Sequence, residues 1–310
     1  MILLMHSFTE NIERKVCPIC GGITQAPFKD ERIDPGKINE FTYASRKQPE
    51  FMCLHLVRCI NCDLVYAPMP PTAKFLSTMY TEAAYDSKLE AQAAAHSYAK
   101  ILSPYIKLLS GRNAAIDVGA GSGALLPWLS KNGFDPVIGI EPSPAAIEAA
   151  PPAVKPMLRQ GMFSASLLTG IRPSLICSFM TLEHLVDPSN FVFEVYELLE
   201  PGGMFAAIIH NWRAPINRLF GSYSPIIDIE HLQLFSPKAI NTLLEKTGFI
   251  AIDLRSICNT YSLKYWFRLT PLPTKIKNRI AGILNCLGLL DTQISLRVGN
   301  MLAIGLKPHE

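Results

Sequence analysis

Four cysteines near the start of the chain stand in two pairs, each with two residues between its members. They are Cys17 with Cys20 and Cys59 with Cys62, and 38 residues separate the pairs. Each CxxC turn places two sulfurs on one side of a tight loop, so two turns provide the four thiolates of a closed structural zinc site. The spacing therefore predicts one zinc ion, with Cys53 and His55 as substitute ligands, against the alternative of four unrelated buried cysteines.

The second group suited to chemistry is the glycine-rich run DVGAGSG at residues 117–123. Glycines let the backbone approach a ligand closely, and residues 119–124 fit the dinucleotide fingerprint GxGxx(G/A). On that interpretation Glu141, twenty residues after Gly121, binds a ribose. A dinucleotide site gains no binding energy from the Asp117 carboxylate near its pyrophosphate, whereas the same carboxylate would stabilise a cationic ligand. Asp117 therefore favours a cofactor that carries positive charge.

Short apolar runs alternate with helical stretches after residue 112, which is typical of an α/β fold whose parallel sheet is covered on both faces. The predicted strands are residues 113–118, 136–140, 155–160, 175–179, 204–209, 249–257 and 300–306. Helices should begin where a capping residue precedes proline, at Ser143-Pro144, Asp187-Pro188 and Ser236-Pro237. The alanine-rich residues 86–109 predict a lead-in helix that Pro104 interrupts.

These motifs resemble those of the class I S-adenosylmethionine-dependent methyltransferases over most of residues 114–249. The segment FMTLEHLVDP, residues 179–188, is similar to the family's fourth-strand motif, and LLEPGGMF, residues 198–205, to the turn into its fifth strand. The resemblance implies a Rossmann-like, seven-stranded methyltransferase sheet with helices on both faces, and S-adenosylmethionine as cofactor. The cofactor-binding residues that it implies are Asp117, Gly119, Ala120, Gly121, Gly123, Glu141, Pro142, Met162, Phe163 and Met180.

The segment expected to bind adenine departs from the family pattern, because RQGMF at residues 159–163 lacks the usual acid after the third strand. Met162 and Phe163 are expected to pack on the adenine ring instead. A subgroup of the family also carries two N-terminal CxxC pairs. The segments similar to that subgroup are residues 59–71, 230–237 and 299–308. Its members modify nucleotide-linked sugars or act in polysaccharide and secondary-metabolite pathways, so the resemblance implies a small-molecule acceptor.

The resemblance also divides the chain. We expect a small N-terminal zinc-ribbon module over residues 1–71 and a class I methyltransferase domain over residues 72–310. Within that domain, residues 211–235 are expected to form a lid over the substrate, and residues 258–298 a C-terminal insertion.

Methyl transfer to a hydroxyl or a carbon acid needs a group that removes a proton, and histidine is the side chain best suited to this near neutral pH. His184 follows the fourth strand, at the sheet edge where open α/β sheets bind ligands. His231 lies in the expected lid. Both are candidate bases, and the alternatives are packing at a helix start for His184 and a loop-stabilising hydrogen bond for His231. Glu183 is a candidate to orient His184 or to help bind a divalent ion.

Composition and charge restrict the function classes. With 49% hydrophobic and 18% charged residues the chain is globular, and 29 Lys and Arg nearly balance 26 Asp and Glu. Residues 1–70 hold eight of each sign, whereas a zinc ribbon that binds RNA should be basic. Nucleic acid is therefore not an expected partner, and a zinc-ribbon RNA methyltransferase is the weaker alternative. The other alternative is a dinucleotide-binding oxidoreductase on a similar fold, in which Asp117 would have no binding role.

The C-terminal part is locally basic, since residues 251–310 contain eight Lys or Arg against three acids. Residues 261–290 are expected either to pack on the sheet edge or a second subunit, or to contact an anionic lipid or a phosphate-bearing acceptor. The apolar stretch at 280–290 has 11 residues, and a membrane span needs ~20.

No export signal is expected in residues 1–15, so a cytoplasmic location is expected. The isolated cysteines expected to be core thiols are Cys177, Cys258 and Cys286.

Overall fold

The structure is a computed structural model that describes residues 13–309. The expected lack of an export signal concerns residues 1–15, and residues 1–12 lie outside the described residues. The first described elements are the strands β1 (Gln25–Lys29), β2 (Leu56–Cys59) and β3 (Val65–Tyr66) and the helices α1 (Ala73–Glu82) and α2 (Lys88–Ile106). The elements that follow are β4 (Ala114–Val118), α3 (Leu126–Lys131), β5 (Val137–Glu141), α4 (Pro144–Glu148), β6 (Leu158–Gln160), β7 (Pro173–Phe179), α5 (Pro188–Leu198), β8 (Met204–His210), α6 (Pro215–Phe220), β9 (Gln233–Leu234), α7 (Pro237–Thr247), β10 (Ile250–Ser256), β11 (Asn259–Ser262), α8 (Leu263–Arg268), α9 (Thr274–Cys286), β12 (Gln293–Leu296) and β13 (Asn300–Leu306).

Within the described residues, the central sheet has seven strands in the order β10-β13-β8-β7-β4-β5-β6. The strands from β8 to β6 are parallel, while β13 runs antiparallel to both β8 and β10. The predicted α/β fold with a seven-stranded sheet is confirmed. The sheet is mixed rather than wholly parallel, because the chain returns from the C-terminal insertion and enters between β8 and β10.

The inner strands are buried on both faces, which explains their nearly continuous apolar sequences. Every residue of β4, β5 and β7 is buried. Ile116 of β4 belongs to an apolar cluster with α5 and α7, and its neighbour Ala115 belongs to another with α2 and α3. Helices therefore cover both faces of the sheet and hold its carboxyl edge in a fixed position.

The three predicted helix starts are confirmed. In each, the capping side chain accepts a hydrogen bond from the backbone N–H three residues later, and proline follows the cap. The caps are Ser143, Asp187 and Ser236, with donor–acceptor distances of 3.2, 2.9 and 3.2 Å.

Other boundaries differ from the sequence predictions. The lead-in helix α2 is continuous, because Pro104 lies in its last turn, where few backbone hydrogen bonds remain to be disturbed. The third predicted strand begins only at Leu158, since Lys155–Met157 form a 3-10 turn that contains a proline. Helix α1 was not predicted; Thr72 begins it by accepting a hydrogen bond from Phe75 N at 3.2 Å.

A smaller antiparallel sheet joins the N-terminal module to the expected lid. Its strand order is β1-β2-β3-β9, and β9 lies in the lid whereas the other strands lie in the module. Val65 pairs with Leu234 across this junction. Asp63 adds a polar contact, since its carboxylate accepts hydrogen bonds from the Arg213 guanidinium at 2.9 and 2.6 Å. The module and the lid are therefore joined as one structural unit.

The C-terminal insertion packs on the sheet through Tyr261, Tyr265 and Trp266, which are buried, whereas its helix α9 is largely exposed. It contains the hairpin of β11 and β12 and the helices α8 and α9. Ile283 of α9 is 56% exposed and Leu287, just after the helix, is 64% exposed. Cys258 and Cys286 are exposed as well, so the prediction that they are core thiols is wrong, whereas Cys177 on β7 is buried. Cys258 lies in the short connection between β10 and β11, and Cys286 is the last residue of α9, beside the exposed Ile283 and Leu287. None of the described helices has the length and apolar character needed to cross a bilayer.

Candidate active site

A cavity of about 620 Å³ opens at the carboxyl edge of β4, β5 and β7, where open α/β sheets bind ligands. Its remaining walls come from residues 43–49 of the module, the segment after α1, the lid and α8. This volume lies within the usual range for small-molecule sites. The predicted site residues that line it are Gly119, Gly121, Glu141, Pro142, Met162, Phe163, Met180, His184 and His231. Those that do not line it, although they belong to the same strand end and loop, are Asp117, Ala120 and Gly123.

The glycine loop is held against the cavity by its own backbone. Gly119 and Gly121 have φ angles of 76° and 55°, a region that glycine adopts without strain. The N–H groups of Gly119 and Ala120 donate to the carbonyl of Ile140 at 2.9 and 3.1 Å, which ties the loop to the end of β5. A Cβ atom on Gly119 would lie 2.4 Å from Thr181 Oγ1. Only glycine therefore fits where the loop crosses the segment after β7.

Two buried carboxylates lie beside the loop. Glu141 accepts hydrogen bonds from Gly121 N at 2.7 Å and from Ser143 N at 2.9 Å. Burial raises the pKa of Glu141, and these two hydrogen bonds oppose the rise. The Asp117 carboxylate has no hydrogen-bond or ion-pair partner in the described part of the chain, and burial together with the charge of Glu141 raises its pKa to about 7. A cationic group near Asp117 would relieve this cost.

Three histidines meet on the wall of the cavity that the lid helps to form. The ring centroid of His231 lies 5.0 Å from that of His184 and 5.1 Å from that of His210. His210 was not predicted. It is the last residue of β8, at the same sheet edge as the glycine loop, and that position is the signal by which sequence reasoning could have found it.

Hydrogen bonds determine the tautomers of two of these rings. Nδ1 of His231 lies 2.9 Å from the carbonyl oxygen of Ile226, and Nδ1 of His184 lies 3.2 Å from that of Glu230. A carbonyl oxygen only accepts, so Nδ1 carries the hydrogen in both rings and Nε2 keeps its lone pair. Burial lowers the pKa of both, to about 3 for His231, where the charges of His184 and His210 contribute. Both rings are therefore neutral and able to accept a proton at Nε2.

Two glutamates serve the histidine cluster in different ways. Burial raises the pKa of Glu230 to about 8, against the opposing charge of Lys47. Glu183 is fully buried and accepts a hydrogen bond from His210 N at 2.6 Å. Burial acts to raise the pKa of Glu183, but the hydrogen bond and charge of His210 outweigh it, and the pKa is lowered. Oε1 of Glu183 also lies 3.2 Å from Nδ1 of His210, so Glu183 contacts His210, and among the described residues no hydrogen bond joins it to His184.

Two groups of described side chains have ligand atoms close enough to share a metal ion. In the first, Sγ of Cys17 lies 3.5 Å from Sγ of Cys62, and the Sγ atoms of Cys20 and Cys59 are 3.4 Å apart, with all four within 4.8 Å of one another. Cys53 and His55 lie outside this group, and Sγ of Cys53 faces a backbone carbonyl at 3.6 Å. The second group is His184, Glu230 and His231.

The chain is similar in sequence or fold to known proteins. A family model described as a methyltransferase domain matches residues 85–254, more than half of the chain. Among solved structures, it aligns with the YcgJ protein of Bacillus subtilis at 20% identity, over 67% of this chain and 98% of that chain, with a TM-score of 0.47. An S-adenosylmethionine-dependent methyltransferase from Archaeoglobus fulgidus aligns at 15% identity over 76% and 100%, with a TM-score of 0.46. No curated protein matches the sequence.

Proposed function

The chain belongs to the methyltransferase domain family and is an S-adenosylmethionine-dependent methyltransferase, and we propose that it methylates a small molecule at a hydroxyl oxygen or an acidic carbon. The observation that carries this proposal is the composition of one cavity, which Gly119 and Glu141 border on the sheet side and His184, His210 and His231 on the lid side. The acceptor class that the sequence resemblance favours is a sugar or a precursor of a polysaccharide or secondary metabolite.

We propose that S-adenosylmethionine binds between the glycine loop and Glu141. A Cβ atom on Gly121 would meet nothing within 4 Å, so the loop leaves room for a ligand against its backbone. Glu141 accepts two hydrogen bonds, and a carboxylate can accept about four, so it retains capacity for ribose hydroxyls. Met162 and Phe163 offer apolar surface to the adenine. When bound, the cofactor supplies an electrophilic methyl group on a positively charged sulfur.

The histidine wall supplies the base. Neutral His184 takes the acceptor's proton at Nε2, or His231 does so as a weaker base because its pKa is about 3. Nδ1 of each ring is already committed to a carbonyl. Oε2 of Glu230 lies 3.7 Å from Nδ1 of His184. Because the pKa of Glu230 is raised to about 8, the carboxylate stabilises the positive charge that the ring gains only once Glu230 is ionised, above that pH. The lid excludes water from this wall, which strengthens that interaction.

We propose that zinc binds the four clustered cysteines and has a structural role. Four thiolates complete a tetrahedral zinc site and leave no position for a substrate. Because β3 pairs with β9, a metal ion that stabilises the module also stabilises the position of the lid.

We also propose that the exposed part of residues 261–290, which is helix α9 and the residues after it, docks on an anionic lipid surface. The apolar side chains of α9 are exposed rather than packed on the sheet edge, and Lys275, Lys277 and Arg279 lie on the same helix with no acid between residues 274 and 290. A basic amphipathic helix gains from both apolar burial and charge at such a surface.

Cofactor binding tests the main proposal. Replacing Glu141 by Ala removes hydrogen bonds to the ribose and should cost ~1.5–3 kcal/mol, or about tenfold or more in affinity for S-adenosylhomocysteine measured by calorimetry. The matched control is Glu148→Ala, which removes an exposed carboxylate of α4 paired with Lys155 at 2.7 Å and should leave the affinity unchanged. Binding of NAD, or an unaltered affinity in Glu141→Ala, would refute the assignment.

A further inference from the structure

Arg46 extends from the N-terminal module to the cavity wall without an acidic partner. It lies between the two CxxC pairs, lines the cavity and has a φ of 58°, a backbone conformation uncommon outside glycine. Its guanidinium contacts Ser45 Oγ at 3.0 Å and the Tyr261 hydroxyl, and in the described part of the chain no carboxylate forms an ion pair with it. Most of its five N–H donors are therefore available to a ligand.

The surroundings of this guanidinium make an unpaired charge costly. Tyr98, Tyr261 and Tyr265 line the same cavity as Arg46, and the ring centroids of Tyr261 and Tyr265 lie only 4.5 Å apart. Arg46 is half-buried, and the surface that it leaves exposed belongs to the cavity. A cation held away from bulk water in this way is stabilised strongly by an anion that hydrogen-bonds to it.

Arg46 faces the same cavity as the glycine loop, since Arg46, Gly119 and Gly121 all line it. The positive charge of Arg46 acts on both Asp117 and Glu141, where it opposes the effect of burial on the pKa of each. Glu141 already has backbone partners, but the Asp117 carboxylate has none among the described residues. Among the described residues Arg46 is therefore a cation without an ion-pair partner on the wall of the expected cofactor site, and the carboxylate of an amino-acid head group would complement it.

We propose that Arg46 binds the carboxylate of the methionyl group of S-adenosylmethionine. The proposal rests on the proposed function and adds a residue to its cofactor site. A guanidinium can donate two parallel hydrogen bonds to one carboxylate, which a lysine at this position could not. The other source of the same chemistry is a carboxylate or phosphate on the acceptor, and the experiment below distinguishes the two.

This assignment gives the N-terminal module a direct part in cofactor binding. The backbone carbonyl of Arg46 accepts a hydrogen bond from the Arg268 guanidinium of α8, so the strained residue is held from both sides of the cavity. The zinc-supported module would then bring a cofactor ligand to a site whose other parts lie on the central sheet.

Calorimetry with two ligands tests the proposal. S-adenosylhomocysteine carries the carboxylate, and its decarboxylated analogue keeps the amine but lacks that group. Arg46→Met should weaken S-adenosylhomocysteine binding about 10- to 100-fold and leave binding of the analogue unchanged, because only the first ligand loses a charge-assisted hydrogen bond. Arg46→Lys should lose less. The matched control is Lys37→Met, which removes an exposed cation between the same CxxC pairs and should change neither affinity.

The possible failures are distinguishable. An unchanged affinity of Arg46→Met for S-adenosylhomocysteine would overturn the proposal and indicate that Arg46 binds an anionic group of the acceptor. Equal weakening of the binding of both ligands would also overturn it, and would indicate that Arg46 maintains the shape of the site. A wild-type protein that binds neither ligand would refute the proposed function and this inference together. Zinc content and thermal unfolding of each variant show that the comparison is made between folded proteins.

Discussion

Nζ of Lys47 lies 2.8 Å from Oδ1 of Asp228, and both side chains are only 4% exposed. Lys47 also lies 3.0 Å from Oε2 of Glu50 and donates to the carbonyl of Thr42, so each of its three donors has a partner. Lys47 belongs to the N-terminal module and Asp228 to the lid. This buried ion pair therefore connects the module to the segment that carries Glu230 and His231.

Removing the lysine should destabilise the protein. Lys47→Met leaves Asp228 buried without its partner, and breaking a buried pair typically costs ~3–5 kcal/mol of unfolding free energy. Urea denaturation measures this change. The control is Lys37→Met, whose partner Asp34 is 3.8 Å away on the surface, and it should cost less than ~1 kcal/mol. Equal stability of the two variants would contradict a structural role for the Lys47 pair.

The histidine wall should be needed for turnover. His231→Ala or His184→Ala should lower kcat by ~10²–10⁴ while the affinity for S-adenosylhomocysteine is unchanged, since the loss of a base affects the reaction and not the cofactor site. Turnover can be followed as S-adenosylhomocysteine release with a panel of nucleotide sugars. His96→Ala, on the exposed side of α2, is the control. Full activity in both single variants and in the double variant would leave positioning as the only mechanism.

The buried Asp117 should make both stability and cofactor binding depend on pH. Its pKa is about 7 in the folded protein against 3.8 ordinarily, because of burial and the charge of Glu141. The folded state therefore binds more protons than the unfolded state between these values, and this group makes the unfolding free energy fall as the pH rises from about 4 to about 7. Asp117→Asn should gain stability relative to wild type over that window, as measured by urea denaturation.

In the same protein, affinity for S-adenosylhomocysteine should rise about tenfold between pH 6 and pH 8, as Asp117 ionises through a pKa of about 7. Asp117→Asn should bind weakly and without this pH dependence. A pH dependence that survives the substitution would assign the titration to another group.

Metal content tests the cysteine cluster. Protein purified without chelator should contain one zinc per chain, and Cys59→Ser should lose the metal and unfold at lower temperature, because binding stabilises the folded module. Cys53→Ser is the control, since its sulfur lies outside the cluster, and it should keep the metal. Elemental analysis that finds no zinc in the wild type would disprove the site.

Lipid association tests the exposed insertion. The protein should float with anionic liposomes at low salt and less at moderate salt, because the cations of α9 are attracted to the surface charge and salt screens that attraction. Replacing Ile283 and Leu287 by Ser should reduce flotation, since both side chains are exposed. Failure to float at either salt would remove lipid docking and leave contact with a second subunit or a soluble anionic substrate.

The sequence alone determined the features that depend on local spacing. Paired CxxC turns identified the four clustered cysteines, apolar runs identified the buried strands, and cap-proline pairs identified three helix starts. The order of motifs placed Glu141 and the glycine loop at one sheet edge, since strand ends of a parallel sheet share that edge. Each of these inferences uses residues close in the chain or a fold with a fixed strand order.

Only the tertiary structure decided which distant residues meet. The pairing of β3 with β9, the ion pair of Lys47 with Asp228 and the shared cavity of Arg46 and Gly119 each join segments that are far apart in sequence. The entropic cost of closing a loop grows only slowly with loop length, so residues at many different separations could meet at similar cost. The separation of two residues in the sequence therefore does not indicate whether they are in contact. The sequence likewise did not reveal that Cys258 and Cys286 are exposed, because burial depends on which distant segments pack against a residue and not on the apolar residues beside it in the chain.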